Sequence, residues 1–347
     1  PGGGPAPPAA LAIQSLQTKH VAVLVANAMG FSPFIAGIAR ESIANVLGHL
    51  VEAVELAIGM HGGVLGGFHG DHFTATFNAV RPCAAAPRKA CAAAVALMRA
   101  RIGPDGDACD DDADGTKTLR LKIGVAAGKC QVGNVGTATA KTFSVVGPAF
   151  PQAVLLERLS RLYGTGCDTL VTARVYGDAA THFRFRIVDH VLLPPRQPTL
   201  IAALLGAVPE SSTPPSQQGS AAPDGEWLYI VGDNATNDPN ARLNAAFESL
   251  ARGDLDACLE HKRAAEVDRA EVQPSPTASA DGPLPPQPAE VGASDRLSAL
   301  IAALRARGPE APERVAPTAH AVRGQGTRVV GPTSAVPGFY DAYLRLP

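Results

Sequence analysis

Much can be excluded from what the sequence lacks. Its six cysteines (Cys83, Cys91, Cys109, Cys130, Cys167 and Cys258) form no C-x-x-C pair and no Cys/His cluster of zinc spacing. A dithiol redox motif and a structural zinc are therefore excluded, and scattered reduced thiols are expected. There is no uninterrupted apolar run of 18 residues, and the opening "PGGGPAPPAALAIQ" has neither the charged start nor the cleavage pattern of a secretory signal. The expected setting is intracellular and cytoplasmic, with no membrane segment. Because the chain opens on Pro1 rather than Met, it is compatible with a piece of a longer or membrane-associated protein. Neither sign of charge dominates. With 30 Lys and Arg against 32 Asp and Glu, the formal charge is −2, which leaves no broad basic face for nucleic acid.

What is present is 347 residues, 46% of them hydrophobic, enough for one or two domains with a real core. Composition divides the chain. Residues 1–18 are a Pro/Gly/Ala-rich linker, and 19–206 alternate apolar strands with amphipathic helices. Residues 207–225 read as a flexible tether. In 226–266, Leu243, Ala246, Phe247 and Leu250, then Leu255, Cys258 and Leu259 after Gly253-Asp254, fall at helical spacing. That pattern predicts a helical hairpin of the tetratricopeptide kind, too small to bury both faces alone, which must dock on a separate surface or fold back. Residues 267–294 are a second Pro-rich linker expected to be disordered, and 295–347 a short helix and an irregular tail.

Within 19–206 the periodicities predict a strand at 20–26, a helix at 34–60, a hairpin at 62–78 and a helix at 87–101. A strand at 119–128, its partner at 141–147, a helix at 149–163, a strand at 169–173 and a strand pair near 183–193 follow. This order gives a ferredoxin-like α+β sandwich: a mostly antiparallel sheet with its first strand central and helices on one face.

Several segments, in order, resemble the catalytic domain of class III nucleotidyl cyclases, the adenylyl and guanylyl cyclases. "VLVANAMGF" is similar to the first metal-binding strand and phosphate turn, and "MHGGVLGGFHGDHFTATFN" to the central hairpin. "LRLKIGVAAGKCQVGNVGTATAKTFSVVG" resembles the strand, Gly-rich loop and dimerisation arm. "PAFPQAVLLERL" takes the place of the catalytic helix, and "IVDHVLLPPRQPTLIAALLG" that of the closing strands. The resemblance implies two carboxylates holding two divalent cations on a triphosphate, with sites completed across a dimer. It also implies a lysine and an acid that select the base, and an asparagine and arginine that steady the ribose and transition state.

Position by position, most of that set is gone. The resemblance places the first metal carboxylate at Asn27 and the second at Asp71, which alone keeps its charge. The base-selecting lysine falls at Gly67, the base-selecting acid at Pro148, the catalytic asparagine at Pro151 and the arginine at Leu155, with Arg158 out of place to rescue it. The phosphate turn Ala28, Met29, Gly30, Phe31 and Ser32 keeps backbone N–H groups that could face an anion. The expectation is a cyclase-homology domain without catalysis, with no cofactor, or Mg or Mn only with residual nucleotide. It would meet a protein partner, another cyclase-like domain or a large complex, through the cyclase dimer face. An active enzyme or half-site partner is the alternative.

Three other candidates have plainer readings. Asp110, Asp112 and Asp114 before Gly115 begin like a calcium loop, but Leu121 stands where the closing glutamate belongs, so an acidic insertion is expected. His61, His69 and His72 surround Asp71, yet His69 and His72 have opposite parity along the hairpin and should face opposite sides. "GNVGT" at 133–137 reads as a tight turn, and Asn234 in a glycosylation pattern has no consequence in an intracellular chain.

Overall fold

The computed structural model describes residues 16–100, 119–137, 140–161, 163, 167–195, 197–208, 240–272, 293–306, 321–324 and 326–329. The Asp110–Asp114 run, Cys109, residues 226–239 of the expected hairpin segment with Asn234, and most of the three linker segments lie outside them.

The first strand, β1 (Gln17–Met29), carries an apolar run that is buried on both sides. Val21, Val23 and Val25 face one core, while Ala22, Leu24 and Ala26 face the other. A strand so placed reads as continuous hydrophobicity rather than alternation. After α1 (Phe31–Ala36) and a 3₁₀ turn (Arg40–Ser42), α2 (Ile43–Met60) presents Val46, Leu50, Val54, Ala57 and Ile58 inward. Among the described residues, Arg40–Met60 is long and apolar enough to cross a membrane, and this inward row packs it on the core.

The hairpin β2 (Val64–His69) and β3 (His72–Phe77) turns on Gly70 and Asp71. Gly70 takes φ 65°, a conformation that glycine adopts without strain. Next come α3 (Ala86–Arg99), β4 (Arg120–Gly136), β5 (Lys141–Val146) and α4 (Ala149–Leu159). They are followed by β6 (Thr169–Thr172), α5 (Ala173–Ala179), β7 (Phe183–Leu193) and β8 (Gln197–Ala207). Seven strands run in the order β2-β3-β1-β4-β6-β8-β7, and β5 pairs with the outer part of β4. All pairs are antiparallel except β4 with β6. The α+β class and the interior position of β1 are as the pattern predicts.

Two details differ from the expectation. First, helices occupy both faces: α2, α3 and α5 cover one, and α4 packs on the other. Second, α5 was not foreseen, because seven residues between two strands give too little periodicity to register.

The C-terminal segment forms α6 (Ala241–Arg252), α7 (Leu255–Val272), α8 (Ala293–Ala306) and a hairpin of β9 (Ala321–Gly324) with β10 (Gly326–Val329). The α6–α7 turn follows its residues. Gly253 takes φ 85° at the end of α6, and Asp254 accepts the Ala257 N–H at 3.0 Å to begin α7. The second helix runs to Val272, beyond the expected end near 266, and the tail expected to be irregular contains β9 and β10.

The hairpin folds back. Leu243, Ala246, Phe247, Leu250 and Cys258, with Leu297, Leu300 and Ile301 of α8, join the same core as α2, α3 and α5. The five described cysteines are free and buried, and burial raises the pKa of Cys91, Cys130, Cys167 and Cys258.

Candidate functional site

The C-terminal end of β1 carries a polar row. Asn27 lies opposite His72 of β3 on one side and Lys122 of β4 on the other. Directly paired residues share a face, so all three point toward α4, the face also occupied by Val21, Val23 and Val25. The Ala28 N–H donates to the Asp71 carbonyl at 2.8 Å, which fixes the hairpin turn against the same strand end. The structure therefore brings Asn27 and Asp71 to neighbouring strand ends, as the resemblance implies.

Around them the charges are mostly engaged. Lys122 Nζ donates to Asp168 Oδ1 at 2.6 Å and to the Ser160 carbonyl at 3.4 Å. Glu157 of α4, only 1% exposed, accepts from Arg161 at 2.7 Å. His72 is half-buried, and burial lowers its pKa. Glu157 and Asp71 pull it back up, while Arg158 and His69 push it further down.

His69 and His72 are paired across the two-residue turn and share a face, which corrects the parity expectation: counting alternate residues along a strand fails where the chain reverses. The His69 ring lies over Gly67, where an added Cβ would come within 3.0 Å of Cε1. His61 is elsewhere, capping α2 beside Lys89. Among the described residues, no group of three or more His, Cys, Asp or Glu could hold a metal ion.

The remaining expected positions fall around α4. Pro148 precedes the helix and its carbonyl accepts the Gln152 N–H at 3.1 Å, Pro151 is exposed in the first turn, and Leu155 is buried. Leu155 packs with Ala153, Leu156 and Leu159 into the core and offers no charge to the surface. Of the phosphate turn, Ala28 and Met29 are strand residues paired with Leu121 and Arg120, which corrects their placement in a turn. Gly30, at φ 68°, starts the six-residue α1, into which Phe31 and Ser32 fall. The residues that sequence reasoning missed are Lys122, Glu157 and Asp168. The available signal was one lysine within the otherwise apolar strand "LKIGV".

The two divalent cations implied by the resemblance do not fit this donor set. Asp71 is the carboxylate of the hairpin turn beside β1, Asn27 offers a neutral amide, and Lys122 springs from the position beside it with its ammonium on the Asp168 carboxylate that precedes β6. Hard divalent cations are held by carboxylate oxygens, and an ammonium next to the site adds repulsion.

No protein-family model matches the chain, and no curated protein does. Solved structures do match. The chain is similar to the guanylyl cyclase Cya2 at 20% identity and TM-score 0.47, over 57% of this chain and 97% of that one. It is similar to the adenylyl cyclase CyaB from P. aeruginosa at 20% identity and TM-score 0.43, over 55% and 96%. It is also similar to the guanylate cyclase domain of RhGC from Catenaria anguillulae at 12% identity and TM-score 0.45, over 55% and 100%. The structures to which this chain is similar are thus adenylyl and guanylyl cyclases, the class that its ordered motifs resemble.

Proposed function

We propose that the domain is a cyclase-homology module without cyclase activity, acting inside the cell as a regulatory or scaffolding partner. The observation that carries this reading is the polar row itself. Asn27 stands between His72 and Lys122, Asp71 is the carboxylate of the adjacent turn, and Asp168 is engaged by Lys122, so a neutral amide and an ammonium stand where a pair of anionic metal ligands would be needed. The complementary positions support the same reading. Gly67 lies beneath the His69 ring, Pro148 and Pro151 have no polar side chain, and Leu155 is buried. Losing both halves of the chemistry differs from losing one, because a partner domain could restore only the half that it brings.

The test is direct. The purified chain, incubated with ATP or GTP and manganese, alone and with candidate partner domains, is expected to form no cyclic nucleotide above blank. Product that disappears in Asp71→Ala would instead support the alternative of an active or half-site cyclase. Calorimetry is expected to find Mg-ATP binding no tighter than about micromolar to millimolar. One carboxylate and no arginine leave out several charge-assisted contacts of roughly 1.5–3 kcal/mol each.

Partner binding is proposed through the arm and α4. Val135, Phe143, Val146 and Phe150 are between 40% and 56% exposed there, on β4, β5 and the first turn of α4. By register Val135 and Val146 share one face of the arm and Phe143 lies on the other, so the arm exposes apolar side chains on both sides, as an interaction element does. Copurification with a catalytically complete cyclase would favour regulation. Stoichiometric recovery in a large assembly without cyclase activity would favour architecture.

A further inference from the structure

The C-terminal helices are held to the sheet edge by directional polar contacts as well as by apolar packing. Asn244 of α6 uses both ends of its amide on β7: Oδ1 accepts the Ile187 N–H at 2.7 Å, and Nδ2 donates to the Phe185 carbonyl at 2.9 Å. That amide takes the place of a neighbouring strand at an edge that otherwise ends the sheet. On α5, the Tyr176 hydroxyl donates to Glu248 of α6 at 2.9 Å. On α8, Arg296 Nε donates to Asp189 Oδ2 at 2.6 Å, and both side chains are buried. The same Oδ2 accepts from the Tyr163 hydroxyl at 2.7 Å. Tyr163 follows α4 and shares its apolar core with Leu155, Leu156 and Leu159.

We propose that α6 and α8 act as a regulatory strap whose seating on β7 is transmitted through Asp189 and Tyr163 to α4. One carboxylate oxygen joins α8 to the segment that ends α4, so the two cannot move independently without leaving a buried charge short of a partner. Lifting the strap removes the cation while the Tyr163 hydroxyl remains. The carboxylate keeps the Tyr163 hydroxyl and the His190 N–H but loses its cation, and as it turns toward the water admitted at the vacated Arg296 position it draws Tyr163, and with it the end of α4, out of place. Because packed cores rearrange in discrete steps rather than by compression, the response reaches the helix bordering Asn27 and Lys122. The device operates whether or not the domain catalyses anything.

Hydrogen–deuterium exchange on the full chain tests this. Asn244→Ala, which loosens α6 without touching a charge, is expected to speed exchange about tenfold in 183–193 and about threefold in 149–163, with 64–77 at the far edge unchanged. In a Tyr163→Phe background the same substitution should still speed 183–193 but add nothing in 149–163, since the relay is cut. Acceleration of 149–163 that is the same with and without the Tyr163 hydroxyl would overturn the proposal. So would no change in 149–163 or in 183–193, or a uniform rise that includes 64–77, which would make these helices ordinary core.

Discussion

Arg296→Met is expected to destabilise the fold by about 3–5 kcal/mol, the range for removing one partner of a buried ion pair. Arg296 and Asp189 are 8% and 1% exposed in their side chains, at 2.6 Å. Methionine fills much of the same volume but leaves the buried Asp189 carboxylate without its cation, beside the Tyr163 hydroxyl and the His190 N–H that also donate to it. Urea unfolding monitored by circular dichroism should show a lower midpoint with little change in slope. Adding Asp189→Asn should recover most of the loss, because a neutral amide no longer needs a counter-ion. A loss under about 1 kcal/mol would be the behaviour of a surface pair and would mean that α8 does not seat on β7 as described. The consequence for domain boundaries is direct: cutting the chain after β8 removes Arg296, Asn244 and the apolar side chains beneath them together, and should cost still more.

That boundary was only half legible in the sequence. The helical spacing of Leu243, Phe247 and Leu250 announced an amphipathic helix with a face in need of cover, and the structure supplies that cover from β7 and α5. What local patterning cannot encode is the partner. Asn244 sits in the interior of α6 as an unremarked polar residue until Phe185 and Ile187, far away in the chain, are placed beside it. Asp189 likewise reads as a surface charge in "RIVDHVLL", because the period-two rule assigns it a face without telling whether that face is covered.

The candidate site divides the same way. Asn27 and Asp71 were legible through the resemblance, whose ordered motifs place one on the first strand and the other in the turn of the central hairpin. Lys122 became part of the row only through the β1–β4 register, a pairing across more than ninety positions on average that no window of sequence contains. Glu157 was masked by its surroundings in "LLERL", where a glutamate reads as the solvent face of a helix. It is buried because α4 packs unusually close to the sheet.

That close approach gives the other large prediction. Gly124→Ala is expected to destabilise the domain by about 3 kcal/mol or more, the upper end of overpacking costs, against the usual preference for alanine over glycine in a strand. A Cβ at Gly124 would come to 2.0 Å from the Ala153 carbonyl oxygen, 2.5 Å from the Glu157 nitrogen and 2.9 Å from Leu156 Cβ. Two of these are backbone atoms of α4 and cannot rotate away, so the whole helix must lift from β4. Lifting it also moves Glu157 and loosens the Lys122 contact with the Ser160 carbonyl. Gly48→Ala and Gly59→Ala provide the contrast. Both lie in α2 with nothing within 4 Å of the added Cβ, and each should leave stability unchanged or raise it by about 0.5–1 kcal/mol. Thermal and urea unfolding of the three variants side by side decides the matter. If Gly124→Ala unfolds at the same midpoint as the two helix variants, α4 does not rest on β4 at Gly124, and the placement of Leu155 and Glu157 against the polar row falls with it.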